Sequence, residues 1–323
     1  MENKIKRIGV LTSGGDAPGM NAAIRAVTRT ALSKGIEVMG VFEGYQGLID
    51  NKMKFLNYKD VSNIISAGGT CLYSARCKEM LTDDGKERAV ATCTTAGIDG
   101  IVCIGGDGTF RGARELSRRG IHCVGIPATI DNDIGCTDSC IGFDTAVNTV
   151  LDFVDKVRDT CMSHARCSVV EVMGRHAGHI ALEAGLATGA VSIAVPEQEF
   201  DLEKMVEKML KARSQGRRQF VVIVAEGTGL TNTIHETIVK KTEIETRTAV
   251  LAHVQRGGSP TARDRVLASK MGNYAVEAIL AGKNSRVIVD NKGVITDLDI
   301  EEALEMKKTL DFDLLEVADT VSV

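Results

Sequence analysis

Tryptophan is absent from this 323-residue chain, and there are only four prolines. Low-complexity segments and short repeats are missing as well, which excludes a repeat array. No apolar run is long. Stretches such as Phe220–Ala225 fall far below the roughly 18 residues that span a bilayer. An excess of one charge is lacking: 39 Lys and Arg stand against 43 Asp and Glu, a net charge of −4. No global basic field therefore points to nucleic acid or to a membrane surface. The nine cysteines include no CxxC pair. Cys103, Cys123 and Cys167 lie in apolar, strand-like runs, and Cys136 and Cys140 are too isolated for a zinc site, so reduced, mostly buried thiols in a cytoplasmic protein are expected. Met1–Arg7 is polar and leads straight into a strand, so no signal peptide is expected. His176 and His179 lack flanking ligands and read as packing or hydrogen-bonding residues.

Glycine is what the chain has in abundance, with 33 residues, and its length suits two domains of roughly 100–200 residues. Strands alternate with helices. The pattern predicts strands over Lys6–Thr12, Glu37–Phe42, Ile98–Ile104, Ile121–Gly125, Ser168–Val172, Val191–Val195, Phe220–Ala225 and Val287–Asp290. It predicts helices after Asn21, over Val61–Ser66, Asp83–Thr95, Phe110–Arg119, Asp144–Arg158, Leu202–Ala212 and Ala275–Leu280. This alternation gives a parallel α/β sheet with ligand sites at its carboxyl edge.

The residues at the strand ends carry the chemistry. Thr12–Asn21 is a glycine-rich turn between strand and helix, the geometry that presents backbone N–H groups to a phosphate. It fits neither GxxxxGK[ST] nor GxGxxG. Arg25 and Arg29, four apart on the next helix, are a solvated face or an anion site. Tyr45, in a glycine-bounded loop, could cover a base or simply pack. Arg76, after a glycine turn, is a plausible phosphate ligand. The sharpest motif is Gly105-Gly106-Asp107-Gly108-Thr109. Bare backbone can approach a polyphosphate there, Thr109 can cap the following helix, and Asp107 can hold Mg²⁺ on the phosphate. Pro127 is expected to stop a strand just before Thr129-Ile130-Asp131-Asn132-Asp133. A carboxylate at that end can take a proton from a hydroxyl or hold a metal, or else the segment is an Asx-type turn. Arg166, Arg175, Arg247 and Arg256 lie near other strand ends, where guanidinium forks suit a sugar phosphate.

Together the blocks Thr12–Asn21, Gly105–Thr109, Thr129–Asp133, Glu171–Arg175 and His253–Pro260 resemble bacterial ATP-dependent 6-phosphofructokinase, in the family's order over nearly the whole chain. The resemblance implies two three-layer α/β domains with largely parallel sheets and an active-site cleft between them. An ATP-binding domain would span 1–142 and 255–305, and a fructose 6-phosphate-binding domain 143–254 and 306–323. It implies transfer of the ATP γ-phosphoryl to the 1-hydroxyl of fructose 6-phosphate, with Asp131 as general base and Asp107 as magnesium ligand. Thr129 and Arg175 would stand near the transferred phosphoryl. Gly15, Tyr45, Arg76, Cys77 and Gly105, Gly106, Asp107, Gly108 and Thr109 match ATP contacts. Met173, Gly174, Glu226, His253 and Arg256 match sugar-phosphate contacts. Arg166 and Arg247 match arginines that reach the substrate from a neighbouring subunit, which implies a homotetramer.

Departures from the pattern also carry expectations. Pyrophosphate-dependent relatives have Asp at the position of Gly108 and Lys at that of Ala128, and neither is present. Ala128 replaces the glycine usual in the ATP-dependent group. Met80 and Leu81 stand where an aromatic and a basic residue often flank adenine. Arg25, Arg29, Arg158, Arg217 and Arg218 match the cationic wall of an allosteric site for ADP or phosphoenolpyruvate. Tyr58 replaces an expected arginine there, and Val191 a magnesium-binding glutamate. Two other classes are a kinase with a different donor or acceptor and a catalytically silent nucleotide sensor.

Overall fold

The structure is a computed structural model and describes residues 5–322. Its first strands are β1 (Arg7–Thr12), β2 (Glu37–Val41), β3 (Met53–Leu56), β4 (Gly100–Gly105) and β5 (His122–Pro127). The later ones are β6 (Cys167–Val172), β7 (Ser192–Ala194), β8 (Phe220–Ala225), β9 (Thr246–Val250), β10 (Arg286–Asn291) and β11 (Val294–Asp299). The chain divides into two compact units. The larger holds the residues up to Thr129, Ile134–Asp144 and Arg256–Lys308. The smaller holds Ile130–Asp133, Thr145–Gln255 and the residues from Thr309 on.

In the larger unit seven strands run in the order β11-β10-β5-β4-β1-β2-β3. The inner strands are parallel, and the two edges, β3 on β2 and β11 on β10, are antiparallel. The expected parallel sheet thus acquires antiparallel edges, a tight hairpin between β10 and β11 and a connection through the helix Gly44–Ile49 between β2 and β3. β4 is buried along its whole length, as a strand covered by helices on both faces must be. One helix layer is Met20–Ser33 packed on Ala262–Leu280. The other joins Gly44–Ile49, Asp83–Thr95, Asp107–Ser117 and Ile300–Glu305. Gly272 lets the first pair approach closely, since a Cβ there would lie 2.7 Å from that of Ala26.

Several local expectations change. Val61–Ser66 forms turns rather than a helix, with Asn63 in the left-handed region at φ 62°. The helix expected at Ala275 begins at Ala262, where the Thr261 side chain accepts from the Asp264 amide. That Thr-x-x-Asp cap was a readable start signal. Pro127 does not stop the ladder: it pairs with Gly105, and Ala128 continues into a bridge with Ile141. The Ala128 amide faces β4, so the Pro127 nitrogen faces the β10 side, where pairing ends at Gly125 and no ladder bond is lost.

The smaller unit has four parallel strands in the order β7-β8-β6-β9. Helices His179–Ala187 and Phe312–Val321 pack together, as do Leu202–Ser214 and Thr231–Thr242. Its core includes Val169, Val191, Met209, Phe220, Val222 and Ile234. Among the described residues no helix is long and apolar enough to cross a membrane. All nine cysteines are thiols outside any disulfide, and seven are buried.

Candidate active site

In the larger unit the connections after β1 and β4 leave in opposite directions, one to β2 and the other to β5, so the crevice between them is a topological switch point. The two glycine turns sit there and are tied together. The Ser13 amide donates to the Ile104 carbonyl at 3.0 Å, and Thr109 Oγ1 donates to the Ser13 carbonyl at 3.0 Å. Thr109 is therefore not a helix cap. The helix starts at Asp107 with Gly106 as N-cap and no side-chain capping bond. A helix N-terminus without a side-chain cap offers its first amides to an anion.

The glycines of this turn differ in what demands them. A Cβ at Gly105 would lie 2.3 Å from both the Ser13 carbonyl and Thr109 Oγ1, so packing requires glycine there. A Cβ at Gly106 or at Gly108 would meet no atom within 4 Å. The protein's own packing gives no reason for glycine at those two positions. They keep the space beside the helix N-terminus clear.

Asp107 is exposed, with its carboxylate 3.6 Å from the Arg111 guanidinium. No group of three or more His, Cys, Asp and Glu capable of holding a metal occurs among the described residues. A lone exposed carboxylate beside an anion cradle suits Mg²⁺, which keeps waters and binds through one or two carboxylates plus phosphate oxygens. Around the cradle, Arg256 Nη1 donates to the Asp16 carbonyl at 3.1 Å, and its guanidinium is the neighbour that a Cβ at Gly15 would strike. Arg76 is exposed and Cys77 half-buried. Met80 is a buried core residue, whereas Leu81 is 82% exposed. Tyr45 is not in an open loop. It lies in the short helix Gly44–Ile49, is buried, and donates its hydroxyl to the Thr109 carbonyl at 2.5 Å.

After β5 the Ala128 amide donates to the Gly105 carbonyl at 3.0 Å, and the Ile141 amide to the Pro127 carbonyl at 3.0 Å. These bonds close the base of the loop that carries Thr129, Asp131 and Asp133. Asp131 is buried and Asp133 exposed, with Asn132 between them in the left-handed region at φ 51°. The two carboxylates are thus separated by environment, and Asp131 is the shielded one.

In the smaller unit β6 and β8 are neighbours, so the turn Met173-Gly174-Arg175 lies beside Glu226. Gly174 has φ 145° and Arg175 φ 58°, a costly conformation for arginine. One Glu226 oxygen holds it, accepting from the Gly174 amide at 3.3 Å and the Arg175 amide at 2.8 Å. The Arg175 side chain is left exposed. The Met173 amide donates to buried Gln255 at 2.9 Å, and His253 is exposed. Arg166 and Arg247 converge on one carboxylate. Glu245 lies 2.8 Å from Arg166 Nε, although that N–H is not aimed at the oxygen, and accepts from Arg247 Nη2 at 2.7 Å. Arg166, and then Arg247, hold the Glu245 carboxyl below its ordinary range. Gln255 and Glu245 were missed in the sequence. A lone Gln or Glu in a polar loop carries no local signal, and only strand pairing reveals its role.

The five further arginines are unequal. Arg29 stacks at 5.6 Å over the Tyr58 ring, a cation–π contact where an arginine was expected. Arg217 is committed to backbone, donating to the carbonyls of Gln219, Gly189 and Ser322. Burial, and then the charge of Arg158, lower its pKa. Arg158 donates to the Thr188 carbonyl. Arg25 is half-buried and Arg218 exposed. Val191 is fully buried in the core, where it also lines a cavity of about 370 Å³ with Lys204, Lys208, Phe312 and Asp319.

These groups define an α/β protein with an uncapped helix N-terminus between two glycine turns at a switch point and an exposed carboxylate in its first turn. Comparison with known proteins gives the family. The phosphofructokinase model matches residues 7–279, and the chain belongs to that family. A curated ATP-dependent 6-phosphofructokinase of Clostridium tetani is 53% identical over 318 residues, 98% of this chain and 100% of the relative. One of Bacillus subtilis is 50% identical, covering 99% and 100%. Among solved structures, phosphofructokinase of Saccharomyces cerevisiae superposes with a TM-score of 0.89 at 34% identity, over 98% of this chain and 48% of that one. A pyrophosphate-dependent phosphofructokinase of Marinobacter aquaeolei shares the fold, with a TM-score of 0.86 at 24% identity over 97% of this chain and 91% of that one.

Proposed function

We propose that this chain is a cytoplasmic, homotetrameric enzyme that transfers the γ-phosphoryl of ATP to the 1-hydroxyl of fructose 6-phosphate. The observation that carries the donor half is the clear space at Gly106 and Gly108 beside an open helix N-terminus. Such a turn accepts a polyphosphate, and an uncharged residue 108 leaves room for the α-phosphate of a nucleotide. The larger unit is the donor-binding domain, with Gly15, Arg76, Cys77 and Gly105–Thr109 around ATP and Asp107 as the protein's ligand to Mg²⁺. When bound, the ion neutralises charge on the phosphates.

For the acceptor, Asp131 takes the proton from the 1-hydroxyl as oxygen attacks phosphorus. Its shielded position keeps water from competing for that role. Thr129 and Arg175 stabilise the charge spread over the transferred phosphoryl oxygens. The left-handed Gly174-Arg175 turn, held by Glu226, frees the Arg175 side chain for that contact. Met173, Gly174, Glu226, His253 and Arg256 bind the sugar phosphate. Arg166 and Arg247 serve the active site of a neighbouring subunit, where a phosphate dianion displaces Glu245 as their partner. An anionic effector that needs no metal, phosphoenolpyruvate, acts through Arg25, Arg29, Arg158 and Arg218, with Arg217 holding the backbone around them.

The test is steady-state turnover of fructose 6-phosphate with ATP or pyrophosphate as donor. ATP should support turnover and pyrophosphate should not. Pyrophosphate turnover equal to that with ATP, or no turnover with either, refutes the reading.

A further inference from the structure

The ring of Tyr45 is 3% exposed, so little of it is available to cover a base. Its surroundings suggest another task. The hydroxyl donates at 2.5 Å to the Thr109 carbonyl, which lies in the first turn of the helix Asp107–Ser117 and whose regular helical partner is the Ala113 amide. The Tyr45 bond is therefore an additional one, made to the turn itself. Thr109 is also held at its other end by the bond from Oγ1 to the Ser13 carbonyl. Gly112, one turn into the same helix, is the notch that admits the ring. A Cβ there would lie 2.5 Å from Tyr45 Cε2, 2.6 Å from Cζ and 2.9 Å from Oη. Burial, and then the neighbouring Cys103 thiol, push the phenol pKa well up, so the hydroxyl stays a donor at any working pH.

We infer that Tyr45 is a positioning residue of the donor turn, acting through its hydroxyl and the Gly112 notch to fix where the first-turn amides of the helix Asp107–Ser117 present themselves. The inference rests on the proposed function, because it assigns those amides to ATP. Its logic is that phosphoryl transfer depends on placement, so a small shift of the cradle weakens the transition state more than it weakens the fold. A residue that instead touched the nucleotide with its ring would tolerate loss of the hydroxyl.

The discriminating variant is Tyr45→Phe, which keeps the ring and removes the hydroxyl with its bond to Thr109. The expected result is a fall of about tenfold in kcat/KM for ATP, the scale of one lost buried hydrogen bond. KM for fructose 6-phosphate should stay within twofold of wild type. Gly112→Ala, which pushes the ring out of its notch, should show the same ATP-specific loss. Adding it to Tyr45→Phe should cost less than the sum of the two effects. Should Tyr45→Phe fail to fold, Gly112→Ala carries the same comparison. If ATP kcat/KM is unchanged in these variants while wild type turns over ATP and fructose 6-phosphate, the inference is overturned and the function stands. A wild-type chain inactive with ATP overturns both. Equal losses toward ATP and fructose 6-phosphate would mark a merely structural role and also overturn the inference.

Discussion

Replacing Gly108 with aspartate separates the needs of the fold from those of the donor. Gly108 is the second residue of the helix Asp107–Ser117, has no positive φ, and a Cβ there meets no atom within 4 Å. The substitution therefore introduces neither strain nor overpacking. A carboxylate in the first turn is favoured by the helix dipole by about 0.3–1 kcal/mol, and aspartate is a slightly better helix former than glycine. Thermal stability should stay level or rise slightly. Toward ATP the same carboxylate is repulsive. At about 4–5 Å from a phosphate charge, with an effective dielectric between about 20 and 80, the penalty is about 1–4 kcal/mol, or roughly fivefold to 10³-fold in kcat/KM for ATP. Thermal melting and a coupled assay varying ATP at saturating fructose 6-phosphate read the two sides. ATP kinetics within twofold of wild type would falsify the placement of the polyphosphate. A melting temperature lowered by several degrees would refute the claim that the space at residue 108 is clear.

Other expectations follow from the same groups. Asp131→Asn should lose on the order of 10²–10⁴ in kcat with little change in KM for fructose 6-phosphate, as for loss of a general base; near-normal kcat would sink the role. Arg166→Ala and Arg247→Ala should each raise KM for fructose 6-phosphate roughly tenfold, the scale of a lost charge-assisted contact, and an unchanged KM would remove them from the substrate site. Magnesium–ADP should leave the fructose 6-phosphate saturation curve in place, because buried Val191 offers a metal no oxygen; a strong left shift would refute this. A stability prediction concerns Asp297, whose side chain is only 3% exposed and is bound by Tyr274, Lys283 and Arg286. Burial works to raise its pKa, but Lys283, Arg286 and Tyr274 together outweigh it, and the folded-state pKa is lowered. Its contribution is thus present above the unfolded value of about 3.9 and is lost as pH falls through the lower folded value. Asp297→Asn should cost about 2 kcal/mol in urea unfolding at pH 7, and the gap to wild type should close below about pH 4. A gap that persists in acid would show that packing, not charge, is what the mutation removes.

The sequence by itself determined the class of fold and the positions of the glycine turns. Apolar runs such as Phe220–Ala225 and Ile98–Ile104 form buried parallel strands in any helix-covered sheet, and a glycine run between strand and helix has few other uses. It also carried the Gly105–Thr109 and Thr129–Asp133 blocks, because their residue types are dictated by local backbone and by the chemistry of a phosphate. Tertiary structure decided what depends on partners distant in the chain. Tyr45 could cover a base or pack, and the choice fell to Gly112 and Thr109, more than 60 residues away. Thr109 had the right residue type for a cap, yet the Ser13 carbonyl captured its hydroxyl. Arg217 had the charge of an anion ligand, but three carbonyl oxygens of the folded chain take its donors. Gly105 and Gly108 are the same letter in the sequence. Only the packed neighbours of Gly105 show that the fold requires it, while the clear space at Gly108 shows that the fold does not.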